Sequence, residues 1–304
     1  MMLTSSGYNF PSADAIRPYV EHVGQGPSAD WARRTAKQHG CKVCVGYPEV
    51  EKTTASSESA TATETYYNSL VVVDPHGSVL VNYRKTFLYM ADEPWAAEGD
   101  AGRSFHRLQF GTEGEKERRI ATSFGICMDI NPYKFEAPFT AFEFARRVVD
   151  SQTQLVVLSM AWTTMLPGDE LRALGASPDL DTFNYWIQRF MPLIRERMAH
   201  EADVDGNGGE GAEKRVVLVF ANRCGEDPAA VAGQEPVRYA GGSTIIAVSQ
   251  RRRRGAALTG GDDGSDLDVK ILCWGMMGAA TEGICFADTE ADPEMVFALV
   301  KPGG

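Results

Sequence analysis

Gly125-Ile126-Cys127-Met128-Asp129 follows Ile120 to Phe124, an apolar run that reads as a buried strand, and precedes a helical pattern. A cysteine at such a strand-to-helix elbow projects its sulfur from a sharp turn, and the amides after it can donate to an oxyanion. Tyr83-Arg84-Lys85-Thr86-Phe87-Leu88 ends another strand and supplies an ammonium. An ammonium beside the cysteine would favour the thiolate and neutralise charge in a tetrahedral intermediate. Asp92-Glu93-Pro94-Trp95 adds a carboxylate at Glu93, eight positions after Lys85. Each piece alone has a plainer reading: a cysteine after a buried strand is commonly packing, and a strand-end lysine is commonly a solvated charge.

Strands and helices intermix around these pieces, with no internal repeat. Ser12 reads as the cap of a short helix to Val20, and Ser28 as the cap of one from Ala29 to His39. Strand Val43 to Tyr47 follows. After a Ser/Thr-rich loop (Thr53 to Thr65) comes a hairpin: Tyr67 to Val73, the turn Asp74-Pro75-His76-Gly77, and Ser78 to Tyr83. A strand is expected at Arg107 to Phe110. Phe135, Phe139, Phe142 and Val149 predict a helix beginning near Glu136, and Phe183 to Met198 a long amphipathic one. Further strands read at Leu155 to Met160, Val216 to Ala221, Thr244 to Val248, Ile271 to Trp274 and Ile284 to Ala287. Segments 201–214 and 251–268 are polar insertions. Each separates elements of one sheet system, so residues 1–304 read as a single domain.

The 304 residues are 43% hydrophobic, enough for one substantial core. A net charge of -11 argues against a generic nucleic-acid binder. No run of about 18 apolar residues predicts a membrane span, and Met1 to Pro11 lacks the pattern of a secretory signal. The six cysteines, mostly in strand-like runs, suit reduced thiols and hence the cytoplasm. Arg251 to Arg254 would suit a nuclear-localisation patch, but Asp262, Asp263, Asp266 and Asp268 neutralise it within the same loop. Gly206, Gly208 and Gly211 fit G-x-G-x-x-G in the wrong context, helix before and strand after. Cys41 and Cys44 have no second pair at zinc spacing.

Together, Lys85, Glu93 and Cys127 resemble the nitrilase, or carbon–nitrogen hydrolase, superfamily. Val71 to Gly77, Ala221-Asn222-Arg223-Cys224-Gly225 and Tyr239 to Ser243 extend the resemblance along nearly the whole chain. Gly7-Tyr8-Asn9-Phe10, Gly46-Tyr47-Pro48-Glu49 and Cys127 to Phe135 resemble the fungal protein N-terminal amidase branch. The resemblance implies an α/β fold, a four-layer α-β-β-α sandwich, with no cofactor or metal. It also implies deamidation of N-terminal Asn or Gln on proteins through a cysteine thioester, in an N-degron pathway. A general small-molecule ω-amidase is the alternative within the superfamily, and a homodimer is open to it. The implied roles are nucleophile for Cys127 and oxyanion stabilisation for Lys85 and the Met128 N–H. Glu93 would orient the substrate or the attacking water, and Asp129, Asn131 and Trp162 would contact substrate. Trp186 is weighed as a second aromatic wall.

The family's general-base glutamate precedes its Gly-Tyr pair, which here is Gly7-Tyr8. Met1 to Ser6 carries no acid, so the sequence reads as lacking the first strand-helix-strand of the fold. A fragment of an active enzyme is the favoured explanation, and a catalytically dead protein that binds N-terminal residues is the competing one. Glu49, at another strand end, is rejected as the base and expected to face water.

Overall fold

Near-continuous buried runs, Val43 to Val50 and Asn68 to Val73, with a turn carrying Asp74 and Gly77, fold the first half into an antiparallel sheet covered on both faces. The computed structural model describes residues 7–53, 63–111, 118–196, 198, 213–228, 235–252 and 267–298. Strands β1 (Val43–Thr53), β2 (Thr63–Val73) and β3 (Val79–Arg84) lie in that order. Asp74 Oδ1 accepts from the amides of His76 and Ser78 and closes the β2–β3 turn. Because side chains alternate across a strand, odd positions of β2 face one way and even positions the other. Val71 and Val73 meet α2 (Pro27–His39) through Ala32 and Ala36. Leu70 and Val72 face the opposite way, toward the second sheet.

That second sheet runs β12-β11-β10-β7-β6-β5-β4. Its members are β4 (Phe105–Phe110), β5 (Arg118–Ile126), β6 (Leu155–Met160), β7 (Lys214–Asn222), β10 (Thr244–Arg252), β11 (Leu267–Met276) and β12 (Met295–Ala298). Strands β5, β6 and β7 are parallel and the remaining pairings antiparallel. A two-stranded ribbon, β8 (Cys224–Asp227) with β9 (Val237–Ala240), stands beside it. Helices α1 (Ala13–Ile16), α3 (Glu143–Asp150), α4 (Gly168–Leu174), α5 (Leu180–Arg189) and α6 (Met191–Arg195) complete the order. Phe144, Val148, Phe183, Trp186 and Leu193 bury against Val156, Leu158, Leu218 and Phe220 on the outer face of the larger sheet. Leu108, Phe124 and Ile126 on its inner face pack on Leu70, Val72, Val81 and Tyr83. Each large side chain so buried contributes about 1.5–3 kcal/mol. The layering is α-β-β-α, as expected.

Several elements differ from expectation. The helix expected near Glu136 starts at Glu143, because Lys134, Phe135 and Phe142 adopt φ of 53°, 57° and 47°. Short 3₁₀ turns occupy that interval. The long helix over Phe183 to Met198 is two helices, split at Phe190, where Pro192 opens α6 without an amide donor. Ser28 does not cap α2, which begins at Pro27 after Gly26; its amide and hydroxyl donate instead to Glu21. Ile284 to Ala287 is not a strand, and β12 forms the sheet edge instead. Most of the two polar insertions, with Gly206, Gly208 and Gly211, lies outside the described residues. Arg251, on β10, pairs with Glu213.

Candidate active site

Strand β5 ends at Ile126, and the chain turns at Cys127 with φ 45°, a left-handed conformation costly for a residue with a Cβ. What holds the turn is Asp129. Its Oδ1 accepts from the Thr86 amide, the Thr86 hydroxyl and the Phe87 amide, at 3.0, 2.8 and 2.8 Å. Its Oδ2 accepts from the Tyr83 hydroxyl at 2.8 Å and the Ile126 amide at 2.7 Å. A carboxylate with five donors has nothing left for a ligand, which corrects the expectation that Asp129 contacts substrate. It ties the cysteine elbow to the exit of β3. Gly125 permits the approach: a Cβ there would sit 2.8 Å from Leu158 and 2.9 Å from Phe144.

Lys85 leaves β3 on the inner face and is completely buried. Its Nζ donates to Asp92 Oδ2 at 2.5 Å. Asp92 Oδ2 also accepts from the Tyr8 hydroxyl at 3.3 Å and the Tyr89 amide at 2.9 Å, and Oδ1 from Asn68 Nδ2 at 2.8 Å. Glu93, the expected carboxylate, is exposed. In the tight turn from Tyr89 both the Asp92 and Glu93 amides donate to the Tyr89 carbonyl, and Asp92 is the residue that turns inward. Of the two neighbouring carboxylates, Asp92 meets Lys85, and Glu93 stands at the surface.

Burial pushes the Cys127 thiol up to about 11, against the pull of Lys85 and of the Ala161 amide, with Asp92 and Asp129 adding to the rise. Burial alone would lower Lys85, but attraction to Asp92 and Cys127 raises it above its ordinary value. The resting pair is a thiol beside an ammonium. Tyr8, also buried, is held well above its usual range by burial and then by Asp92 and Cys127.

Cys127 lines an open cavity of about 440 Å³ with Met128, Asn131, Trp162, Thr163 and Tyr185. Asn131 accepts from the Tyr185 hydroxyl at 2.6 Å. Trp162 sits 5.5 Å from the Tyr185 ring. Its amide donates to Asn222 Oδ1 at 2.8 Å, and its carbonyl accepts from Ala240 in β9. Asn222 Nδ2 in turn donates to the Gly241 carbonyl. Arg223 clasps Asp227 with both terminal nitrogens. The Asn222-Arg223 turn therefore fixes one wall of the cavity. Trp186 is a core residue, stacked on Phe220 at 5.1 Å. At the rim, Met165 is 98% and Phe135 56% exposed. Tyr185 and Asp181 line the cavity from α5, whose sequence gives no signal beyond its apolar stripe, and Thr163 lines it from the segment after β6.

Glu49 lies on the outer face of its sheet, away from Lys85. It is wholly buried, accepting from Ser69, Asn82 and Arg84. The expectation that it faces water is corrected, because the Arg84 guanidinium and two neutral donors satisfy it inside the fold. Among the described residues no cluster of three His, Cys, Asp or Glu could hold a metal, and no helix is long and apolar enough to cross a membrane.

A buried lysine coupled to a cysteine at a strained strand end, inside an α-β-β-α sandwich, is an arrangement suited to a cysteine nucleophile. The carbon-nitrogen hydrolase family profile matches residues 3–131. A protein N-terminal amidase of Schizosaccharomyces pombe is 30% identical over 260 residues, 81% of this chain and 77% of the relative. The chain belongs to the carbon–nitrogen hydrolase family. A protein N-terminal amidase of Saccharomyces cerevisiae is 25% identical, over 94% of this chain and 84% of the relative. Among solved structures, an N-terminal amidase with a Gln-Val peptide superposes with a TM-score of 0.63 at 22% identity, covering 92% of this chain and 85% of that one. Another, with an Asn-Glu-Ala peptide, gives 0.64 at 22% identity over 99% and 88%. These likenesses show the shared fold.

Proposed function

We propose that this chain deamidates N-terminal Asn or Gln of polypeptides, with Cys127 as nucleophile. The observation that carries the reading is Cys127 at an open cavity of about 440 Å³, coupled to the Lys85–Asp92 pair behind it. An open mouth suits a polypeptide end, and relatives named protein N-terminal amidase support the substrate class.

Cys127 attacks the side-chain amide carbon. Lys85 and the Met128 N–H stabilise the oxyanion, each such donor being worth roughly 10²–10³ in rate. Ammonia leaves, a thioester forms, and water hydrolyses it. Asp92 fixes Lys85, a role distinct from the orientation of substrate or water expected of Glu93. Asn131, Trp162 and Tyr185 contact substrate. Since the resting cysteine is a thiol, a base must take its proton. Asp92 and Asp129 spend their oxygens on structural donors, so the base is a group other than these two.

Peptides beginning with Asn or Gln should release ammonia and peptides with only internal Asn should not. Cys127→Ala should abolish release while preserving the circular dichroism spectrum. Turnover retained in that variant would sink the assignment, and equal activity on free small amides would favour the ω-amidase alternative.

A further inference from the structure

Asn68 is an amide where the strand pattern calls for an apolar residue. It shares the inward face of β2 with Tyr66, Leu70 and Val72 and is completely buried. Its neighbour Ser69 faces the other way and bonds Glu49. Asn68 touches both members of the ion pair. Its backbone carbonyl accepts from the Lys85 amide at 2.8 Å, and its Nδ2 donates to Asp92 Oδ1 at 2.8 Å. Its Oδ1 has no partner among the described residues. A buried acceptor left open costs about 1–3 kcal/mol, a burden that a leucine at this position would not carry. The amide is therefore poorly explained by packing and well explained by what Nδ2 holds: the Asp92 oxygen that Lys85 does not use.

Resting on the amidase reading above, we propose that Asn68 is a positioning residue, which acts through Asp92 to fix the Lys85 ammonium relative to Cys127. With one carboxylate oxygen pinned by Asn68, the other stays aligned with Lys85, Tyr8 and the Tyr89 amide. Without Asn68 the carboxylate loses the one bond on Oδ1 that opposes its rotation about Cβ–Cγ, and as it shifts the ammonium follows it. The charged and titratable groups facing this set are Lys85, Cys127, Asp129, Tyr8, Tyr89 and Tyr239.

The test combines a double-mutant cycle with a substrate-free probe. Asn68→Ala should lower kcat by about 10²-fold, the usual effect of a displacement near 1 Å, with KM within about threefold. It should also shift the pH dependence of Cys127 alkylation by iodoacetamide upward, since Lys85 is what holds that thiol down. Asp92→Asn should produce the same loss, and the double variant no more than Asp92→Asn alone. If the losses multiply, or the alkylation profile of Asn68→Ala matches the native one, Asn68 does not act through Asp92. Alkylation needs no substrate, so a shifted profile in a protein that deamidates no peptide upholds the positioning role and rejects the amidase reading. Asn68→Leu, close in volume and unable to donate to Asp92, gives the same readouts if the alanine variant fails to fold.

Discussion

Replacing Asp129 with asparagine distinguishes an anchor from a substrate contact. The variant keeps one oxygen, which remains with the three donors from Thr86 and Phe87. Its new NH₂ group then faces the Tyr83 hydroxyl and the Ile126 amide. The hydroxyl can rotate and accept, but the amide N–H cannot, so a buried donor meets a donor. One charge-assisted bond lost and one stranded N–H together cost about 3–5 kcal/mol, before counting the weakening of the bonds that become neutral. For a chain of this size that lowers Tm by roughly 8 °C.

The elbow responds as well. Cys127 at φ 45° stores strain of about 1–3 kcal/mol, and the Ile126–Asp129 bond is what holds it there. Once that bond is gone the turn relaxes and the sulfur moves, lowering kcat by about 10²-fold. Calorimetry and ammonia-release kinetics on Asp129→Asn read both effects. Unchanged Tm and kcat would refute the anchoring role. A raised KM with stability intact would restore Asp129 as a substrate contact.

Other expectations follow from the same geometry. Asp92→Asn should lower kcat by about 10²-fold, whereas Glu93→Gln, on the surface, should stay within about twofold; equal losses would show that Glu93 orients substrate or water. Lys85→Met removes a group that pulls the Cys127 thiol down, so the thiol, near 11 with Lys85 in place, should rise further. Iodoacetamide should then react more slowly at every pH between about 7 and 10, and native-like rates would deny the coupling. Gly99→Ala would place a Cβ 2.3 Å from the Arg84 carbonyl, while the Gly99 amide donates to the carbonyl of Lys85. It should destabilise by at least about 3 kcal/mol in urea titration, and an unchanged midpoint would show that the turn yields.

The reach of the sequence is clearest where chemistry and strand period coincide. The hairpin that presents Lys85 and the nearness of Lys85 to Cys127 were legible, because a polar residue at the end of an apolar run has few places to go. Period also carries the signal for Asn68: an amide at an even position of β2, in step with Leu70 and Val72, is a buried polar residue in need of a reason. Glu49 was misjudged because parity says which face a side chain takes, not whether Arg84 will close over it. The helix expected near Glu136 failed for another reason. Apolar spacing cannot reveal that Lys134, Phe135 and Phe142 turn left-handed.

The pair Asp92-Glu93 marks the limit of spacing as evidence. Both residues carry a carboxylate, and counting from Lys85 favours the second. Yet the turn is closed by bonds from both amides to the same Tyr89 carbonyl, and it is the Asp92 side chain that folds back onto the Tyr89 amide. The shorter side chain is the one that fits. From there it reaches Lys85 Nζ at 2.5 Å, whereas the longer Glu93 points to solvent. A motif therefore names the turn, and the backbone hydrogen bonds of that turn choose which of its carboxylates reaches Lys85.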